Sequence, residues 1–274
     1  MMISATIITL NEEEHIGRCL KSVQGVADEL VVVDAGSQDQ TCTIAARLGA
    51  RVLRRDWTNY SDQKNFAASQ ASHDWILSLD ADECLSDLLR QQLLTVKANP
   101  GRADAYEFPR RTFYLGRWIR HCGWYPDHKV RLYRRERGQW QGAFVHEHLS
   151  CDGSVVRLKG DLLHYTCDSV SDHACRVGKY TTLAAQDLLD RGRRSGPLKL
   201  VLSPLAAFMS SYFLKAGFLD GFRGLLISTF SAYYNFLKYS KLWDLQRSMP
   251  PGNPRRGEPS ADLGRVSNEL TEKN

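Results

Sequence analysis

Trp75-Ile76-Leu77-Ser78-Leu79-Asp80-Ala81-Asp82-Glu83 is the stretch on which the fold turns. The run Trp75–Leu79 is apolar but for Ser78, strand-length, and gives way at once to acids, the pattern of a buried strand that ends at a loop. Side chains two residues apart share a strand face, so Asp80 and Asp82 can point to the same side. Carboxylates brought together repel unless a cation lies between them, and a divalent ion bridging phosphate oxygens is the usual occupant. The plainer alternative is a strand followed by an acidic helix start, where Asp and Glu favour the positive end of the helix dipole.

Upstream, the same texture repeats. Ile3–Leu10 is apolar and β-branched, and Asn11 offers a helix cap before Glu12, Glu13 and Glu14, with Ile16, Leu20 and Val23 behind them. Glu29–Val33 is a continuous apolar strand ending at Asp34, and the turn Ala35–Asp39 leads into a helix over Thr41–Leu48 that Gly49 stops. Arg51–Arg54 predicts a third short strand, and a helix over residues 61–71 precedes the Asp80 strand. Strands alternating with helices across short loops predict an α/β fold with a parallel sheet covered on both faces. Ligands of such sheets bind beyond the carboxyl ends of the strands, where Asn11, Asp34 and Asp80 all fall.

With 274 residues, 43% hydrophobic and 24% charged, the chain is sized for one large folded domain or two. Its net charge of +5 is uneven: residues 102–137 carry ten Lys and Arg against four acids, an excess that favours an anionic partner or else a solvated basic face. The seven cysteines are odd in number, irregularly spaced and without a C-x-x-C, which argues against a disulfide framework and a zinc ribbon and fits a reducing compartment. Ile3–Leu10 lacks a basic flank and is short for a signal peptide, so a first strand is expected there.

After residue 105, aromatics and arginines interleave (Phe108, Phe113, Trp118, Trp124, Tyr133, Trp140), which predicts mixed, largely antiparallel structure forming the second half of a cleft. A helix is expected over 172–190, a basic linker over 191–197 and apolar helices over 198–240. Pro204 interrupts the charge-free run Leu200–Leu214, and Asp220 and Arg223 interrupt the next, so neither clears the roughly 20 apolar residues of a membrane span. The readings left are helices packed on the rest of the protein, or a monotopic platform in an anionic membrane interface, which the aromatics and flanking Lys and Arg suit. The expected division is 1–105, 106–190, 191–247 and a disordered tail over 248–274 rich in Pro and charge.

Thr9-Leu10-Asn11-Glu12, Val32–Thr41, Gln63-Lys64-Asn65 and Leu79–Glu83 together resemble the inverting family 2 glycosyltransferases of GT-A fold, in order and spacing. Gly123–Asp127, Lys129–Tyr133, His146-Glu147 and Lys238–Leu242 are similar to the branch that adds β-1,4-glucose to lipopolysaccharide core. The resemblance implies a Rossmann-like nucleotide-binding domain with a mixed sheet, followed by the C-terminal apolar helices. It implies a UDP-sugar site at Thr9, Asn11, Glu12, Asp34, Lys64 and Asp80, with Asp34 on the base, Glu12 on base or ribose, and Lys64 near the phosphates. Asp82, helped by Asp80, would hold Mg²⁺ or Mn²⁺ on the diphosphate. Asp34 as a turn cap and Lys64 as a solvated helix residue are the plainer alternatives, and Asp39 is expected to be structural.

Inverting transfer needs a base for the acceptor hydroxyl. Glu147, between His146 and His148, is the first choice and Asp127 the second. Trp124 is expected to stack on the acceptor sugar, Arg131 to hold an acceptor phosphate and His146 to hydrogen-bond substrate or Glu147. The partners so implied are a UDP-sugar, a lipid-linked core saccharide and the cytoplasmic face of the inner membrane, without nucleic acid. Transfer to another envelope glycan or lipid-linked acceptor, a non-catalytic sugar-nucleotide binder and a nucleic-acid module remain alternatives. A dinucleotide oxidoreductase is disfavoured, because the first strand is followed by three acids rather than a glycine-rich phosphate loop.

Overall fold

The computed structural model describes residues 1–142 and 147–248. In chain order the elements are β1 (Ile3–Thr9), α1 (Ile16–Val23), β2 (Glu29–Asp34), α2 (Thr41–Arg47), β3 (Arg51–Arg54), α3 (Tyr60–Ser69), β4 (Trp75–Asp80), β5 (Glu83–Leu85) and α4 (Asp87–Ala98). There follow β6 (Ala105–Tyr114), β7 (Arg117–Trp118), β8 (Asp127–Arg134), β9 (Gly138–Gln141), β10 (His148–Cys151), β11 (Val155–Arg157), β12 (Leu162–Cys167), α5 (Val170–Asp190), α6 (Pro197–Met209) and α7 (Gly221–Ser248).

Two units make up the chain. The first holds Met1–Phe113 and Pro126–Thr166, the second Tyr114–Tyr125 and everything from Cys167 on. These do not coincide with boundaries at 105 and 190: α5 groups with α6 and α7, and so does the short segment before β8. The tail expected from residue 248 lies, apart from Ser248, outside the described residues.

In the first unit the sheet runs β3-β2-β1-β4-β8-β6-β12-β5. β3, β2, β1 and β4 are parallel, and β8 joins β4 antiparallel, so the sheet is mixed. β1 is buried at every position, as a central parallel strand covered on both faces must be. Ile3, Ile7, Ile16, Leu20, Val32, Leu77, Leu79 and Leu89 form the main core, while Ile8, Val33 and Ala67 close a smaller one under α3. Register fixes the working edge. Thr9 pairs with Asp34, and Ile8 with Asp80, so three strands end level with one another.

Asn11 does not cap a helix. It sits at φ +52°, and its side-chain oxygen accepts from Gln38 N, so it is spent on the neighbouring loop and α1 starts only at Ile16. α3 behaves as expected, with Asn59 capping it by accepting from Asp62 N.

The second unit is helical, and α7 packs against both α5 and α6. Pro204 does not break α6, which continues into a π-helical turn over Ser210–Leu214. A proline removes one backbone donor, and the helix here runs on around it. Among the described residues Pro197–Leu214 is the one helical stretch long and apolar enough to cross a membrane by length and composition.

Candidate functional site

The loops after β1 and β2 are zipped together at the carboxyl edge. Asn11 N donates to Ser37 Oγ at 2.8 Å, Glu12 N to Thr41 Oγ1 at 2.8 Å and Gln40 N to Glu13 Oε2 at 2.9 Å. Asp34, buried, accepts Gly36 N and Ser37 N at 2.9 Å each and the Ser37 hydroxyl besides, so it caps its own turn. Gly36 follows at φ +106°, a backbone that L side chains rarely adopt. Asp39 accepts from Thr41 N, the structural part expected of it. Glu12 carries its carboxylate to His15 Nδ1 at 2.9 Å, and the buried Thr9 hydroxyl has no hydrogen-bond partner among the described residues.

Lys64 is not a solvated helix residue. It is 1% exposed, with Nζ 2.9 Å from Asp80 Oδ1, 3.4 Å from Glu147 Oε1 and 4.5 Å from the centre of the Trp140 ring. Its helix positions it through the neighbouring residues of the same motif. Gln63 donates to the carbonyls of Arg55 and Asp56. Asn65 clasps the Trp140 backbone, donating to its oxygen at 2.9 Å and accepting its N–H at 3.0 Å. Ser61 adds a bond to Gly142 O.

Arg131 does not lie open to an acceptor phosphate. It is buried, and Nη2 lies 2.8 Å from Asp80 Oδ2 and 2.7 Å from Glu83 Oε1, while Nε and Nη1 find no hydrogen-bond partner among the described residues. The fully buried Glu83 carboxylate also accepts from Asp80 N and meets Arg110 at 3.5 Å, and Arg110 in turn reaches Asp127 Oδ2 at 2.9 Å. Lys129 takes the other Asp127 oxygen at 3.1 Å. Charges thus alternate from Glu147 through Lys64, Asp80, Arg131, Glu83 and Arg110 to Asp127. Burial pushes the Asp80 carboxyl up, but Lys64 and Arg131 outweigh it and hold it far below the usual carboxylate range. Arg131 is likewise held charged, burial notwithstanding, by Glu83 and Asp80. Much of the basic excess over residues 102–137 is therefore spent internally.

Asp82 diverges from Asp80. Its Oδ2 lies 3.1 Å from His164 Nε2, because β12 pairs antiparallel with β5 and sets His164 opposite Glu83. His15, Arg18, Cys19, Glu83, Cys84 and Tyr165 lie around it. Among the described residues no three His, Cys, Asp or Glu side chains gather into a closed metal cage. Asp82 and His164 still offer one oxygen and one nitrogen donor, a set that suits Mg²⁺ or Mn²⁺ if diphosphate oxygens and water supply the rest.

His146 lies outside the described residues. Trp124 belongs to the second unit, where it is half-buried and packs edge-on to Tyr114 and His173. His173, hydrogen-bonded to Tyr114 and stacked on Phe230, is brought down to about 4 by burial. Sequence reasoning missed Glu83, Arg110 and His164. Glu83 was inside the quoted motif and could have been found as a third acid needing partners. Nothing local distinguishes His164, whose place depends on strand pairing.

A mixed α/β sheet with its acids level at the carboxyl edge is the arrangement that the resemblance to GT-A glycosyltransferases implies. The family model for Glycosyl transferase family 2 matches residues 4–153, and the chain belongs to that family. It is 31% identical over 254 residues to the uncharacterized glycosyltransferase RT0209 of Rickettsia typhi, covering 89% of this chain and 87% of that one. It is also 31% identical over 253 residues to the lipopolysaccharide core biosynthesis glycosyltransferase LpsC of Rhizobium meliloti, covering 88% and 92%. A crystal structure of glucosyl-3-phosphoglycerate synthase from Mycobacterium tuberculosis, with Mn²⁺, uridine diphosphate and glucosyl-3-phosphoglycerate, overlaps 49% of this chain and 57% of its own at 21% identity and TM-score 0.36, a likeness too partial to carry anything about ligands.

Proposed function

We propose that this glycosyltransferase moves a hexose, glucose first among them, from a UDP-sugar to a lipopolysaccharide inner-core saccharide with inversion. The work would be done at the cytoplasmic face of the inner membrane, where a lipid-linked acceptor is presented. The observation that carries the donor half is the strand-end cluster, in which a buried lysine sits on Asp80 level with Asp34 and Thr9. The acceptor half rests on the relative LpsC.

Asp34, Asn11, Glu12 and Thr9 would form the nucleoside pocket, its loops pre-organised by the hydrogen bonds between them. Lys64 carries positive charge toward the departing diphosphate, where negative charge develops during transfer. Asp82, with His164 beside it, is the best-placed holder of a divalent cation, which when bound would neutralise diphosphate oxygens. Asp80 keeps Lys64 and Arg131 in place.

Of the two candidate bases, Glu147 is favoured. It gives one oxygen to Lys64 at 3.4 Å, whereas both Asp127 oxygens are in ion pairs. Glu147 would take the acceptor hydroxyl proton as the oxygen attacks the anomeric carbon, and the sugar–phosphate bond breaks toward the cationic side.

Calorimetric titration with UDP, with and without Mn²⁺, tests the donor site. Metal-dependent binding that Asp82→Ala loses supports it, and absence of UDP binding overturns it. Transfer assays with truncated core saccharides then test the acceptor.

A further inference from the structure

In the second unit, α6 packs one side on α7, and among the described residues nothing covers the other: none of its residues is buried. Leu198, Val201, Leu202, Leu205, Met209 and Phe213 recur at helical spacing on the bare side, and all are exposed. The turn beyond carries on the apolar surface, with Leu214, Leu219 and Phe222 more than half exposed. Contiguous apolar surface of this kind marks an interaction site. At its other end the surface is flanked by cations lying over aromatic rings. Lys199 stands over Tyr239, Lys238 over Tyr234 and Tyr239, and Arg247 over Trp243. Apolar stripe, interfacial aromatics and basic rim are complementary to an anionic lipid surface rather than to another apolar protein face.

Length alone would also permit a crossing. The 18 residues Pro197–Leu214 measure about 27 Å as a helix against a hydrocarbon core of about 30 Å. The far end of the helix rules this out. Cys122 N donates to Lys215 O at 3.0 Å, Asp220 accepts His121 N at 2.8 Å, and Arg223 Nε donates to Leu115 O at 2.8 Å. If α6 crossed, segment 115–122, with Arg117, Arg120 and His121, would have to cross with it, and charged groups in a bilayer interior are costly. The near end is tied to the C-terminal part of α7, through Gln246 with Ser195 N and Arg193 O.

We propose that the bare face of α6 and the apolar turn after it dock on an anionic bilayer with α6 lying in the plane of the interface. This deepens the membrane part of the proposed function and rests on it only for its setting, since lipid binding can be read without any sugar transfer.

The test is sedimentation of the full chain with vesicles of phosphatidylcholine alone or mixed with phosphatidylglycerol, at low and high salt. Val201→Glu/Leu205→Glu is the comparison, at positions 67% and 58% exposed, where folding should be untouched. Circular dichroism and UDP affinity check this. The expected result is salt-sensitive binding to anionic vesicles that the double variant weakens by about tenfold or more. Vesicle binding absent in the parent chain, or equal in the variant, overturns the proposal. A parent dimer that the variant dissociates, without vesicle binding, overturns it in favour of a self-association face. Retention of the chain in membranes washed with alkaline carbonate overturns the in-plane arrangement. Vesicle binding without UDP binding leaves the surface standing and defeats the donor reading instead.

Discussion

Lys64 and Arg131 place two positive charges on Asp80, one on each carboxylate oxygen, and in the proposed function the metal therefore falls to Asp82. Asp80 is paired with two protein cations, while Asp82 meets His164. Asp82→Ala should therefore lower Mn²⁺-dependent turnover by roughly 100-fold or more, the scale of losing one group that meets transition-state charge, with the far-UV spectrum unchanged. UDP release in a coupled assay reads this. His164→Ala should weaken Mn²⁺ activation by about 10–100-fold, seen as a shift in the metal titration midpoint and not in the maximal rate alone. A normal Mn²⁺ midpoint in that variant would remove His164 from the metal.

Elements are held in place by polar clasps at their ends. Glu29, at the start of β2, accepts from the Ser4 hydroxyl in β1, from Ser72 N and Oγ just before β4, and from Arg51 in β3. Burial pushes its carboxyl up, but these hydrogen bonds outweigh that and bring it from 4.5 to about 2. A carboxyl lowered on folding stabilises the protein above its unfolded value, and that contribution fades as pH falls through the folded one. Stability measured by urea titration should thus decline between about pH 4.5 and about 2, and Glu29→Gln should flatten this part of the profile. Asn59→Ala should cost about 1 kcal/mol by removing the cap of α3, and should weaken UDP binding because that helix carries Lys64. Equal denaturation midpoints for the two chains would count against the cap.

At the scale of the whole molecule, Arg131 and Glu83 are the internal latch of the first unit, joining β4, β5, β6 and β8 through buried charge. Arg131→Met should destabilise by about 3–5 kcal/mol, since it leaves the buried Glu83 charge with Asp80 N and, among the described residues, the one cation Arg110 at 3.5 Å. Chemical denaturation checks this, and the paired change Arg131→Met/Glu83→Gln should recover much of the loss.

The strands, their order of appearance and the acids at their ends were legible in the sequence, because apolar runs of strand length and the residues that stop them are local signals. Asp34 and Asp80 could be named for the same reason, and Lys64 through the resemblance that Gln63-Lys64-Asn65 carries. The tertiary structure alone decided what each one touches. That His164 meets Asp82 follows from the antiparallel pairing of β12 with β5, more than seventy positions apart in the chain, and no local pattern encodes it. Arg131 read as a free phosphate ligand because sequence does not show which carboxylate will face an arginine once it is buried. Asn11 read as a helix cap because the αL turn that sends it to Gln38 is fixed by the loop beside it. The bare face of α6 was hidden for a like reason. Composition gives the apolar content of a helix, but only packing decides which side α7 covers and which it leaves exposed.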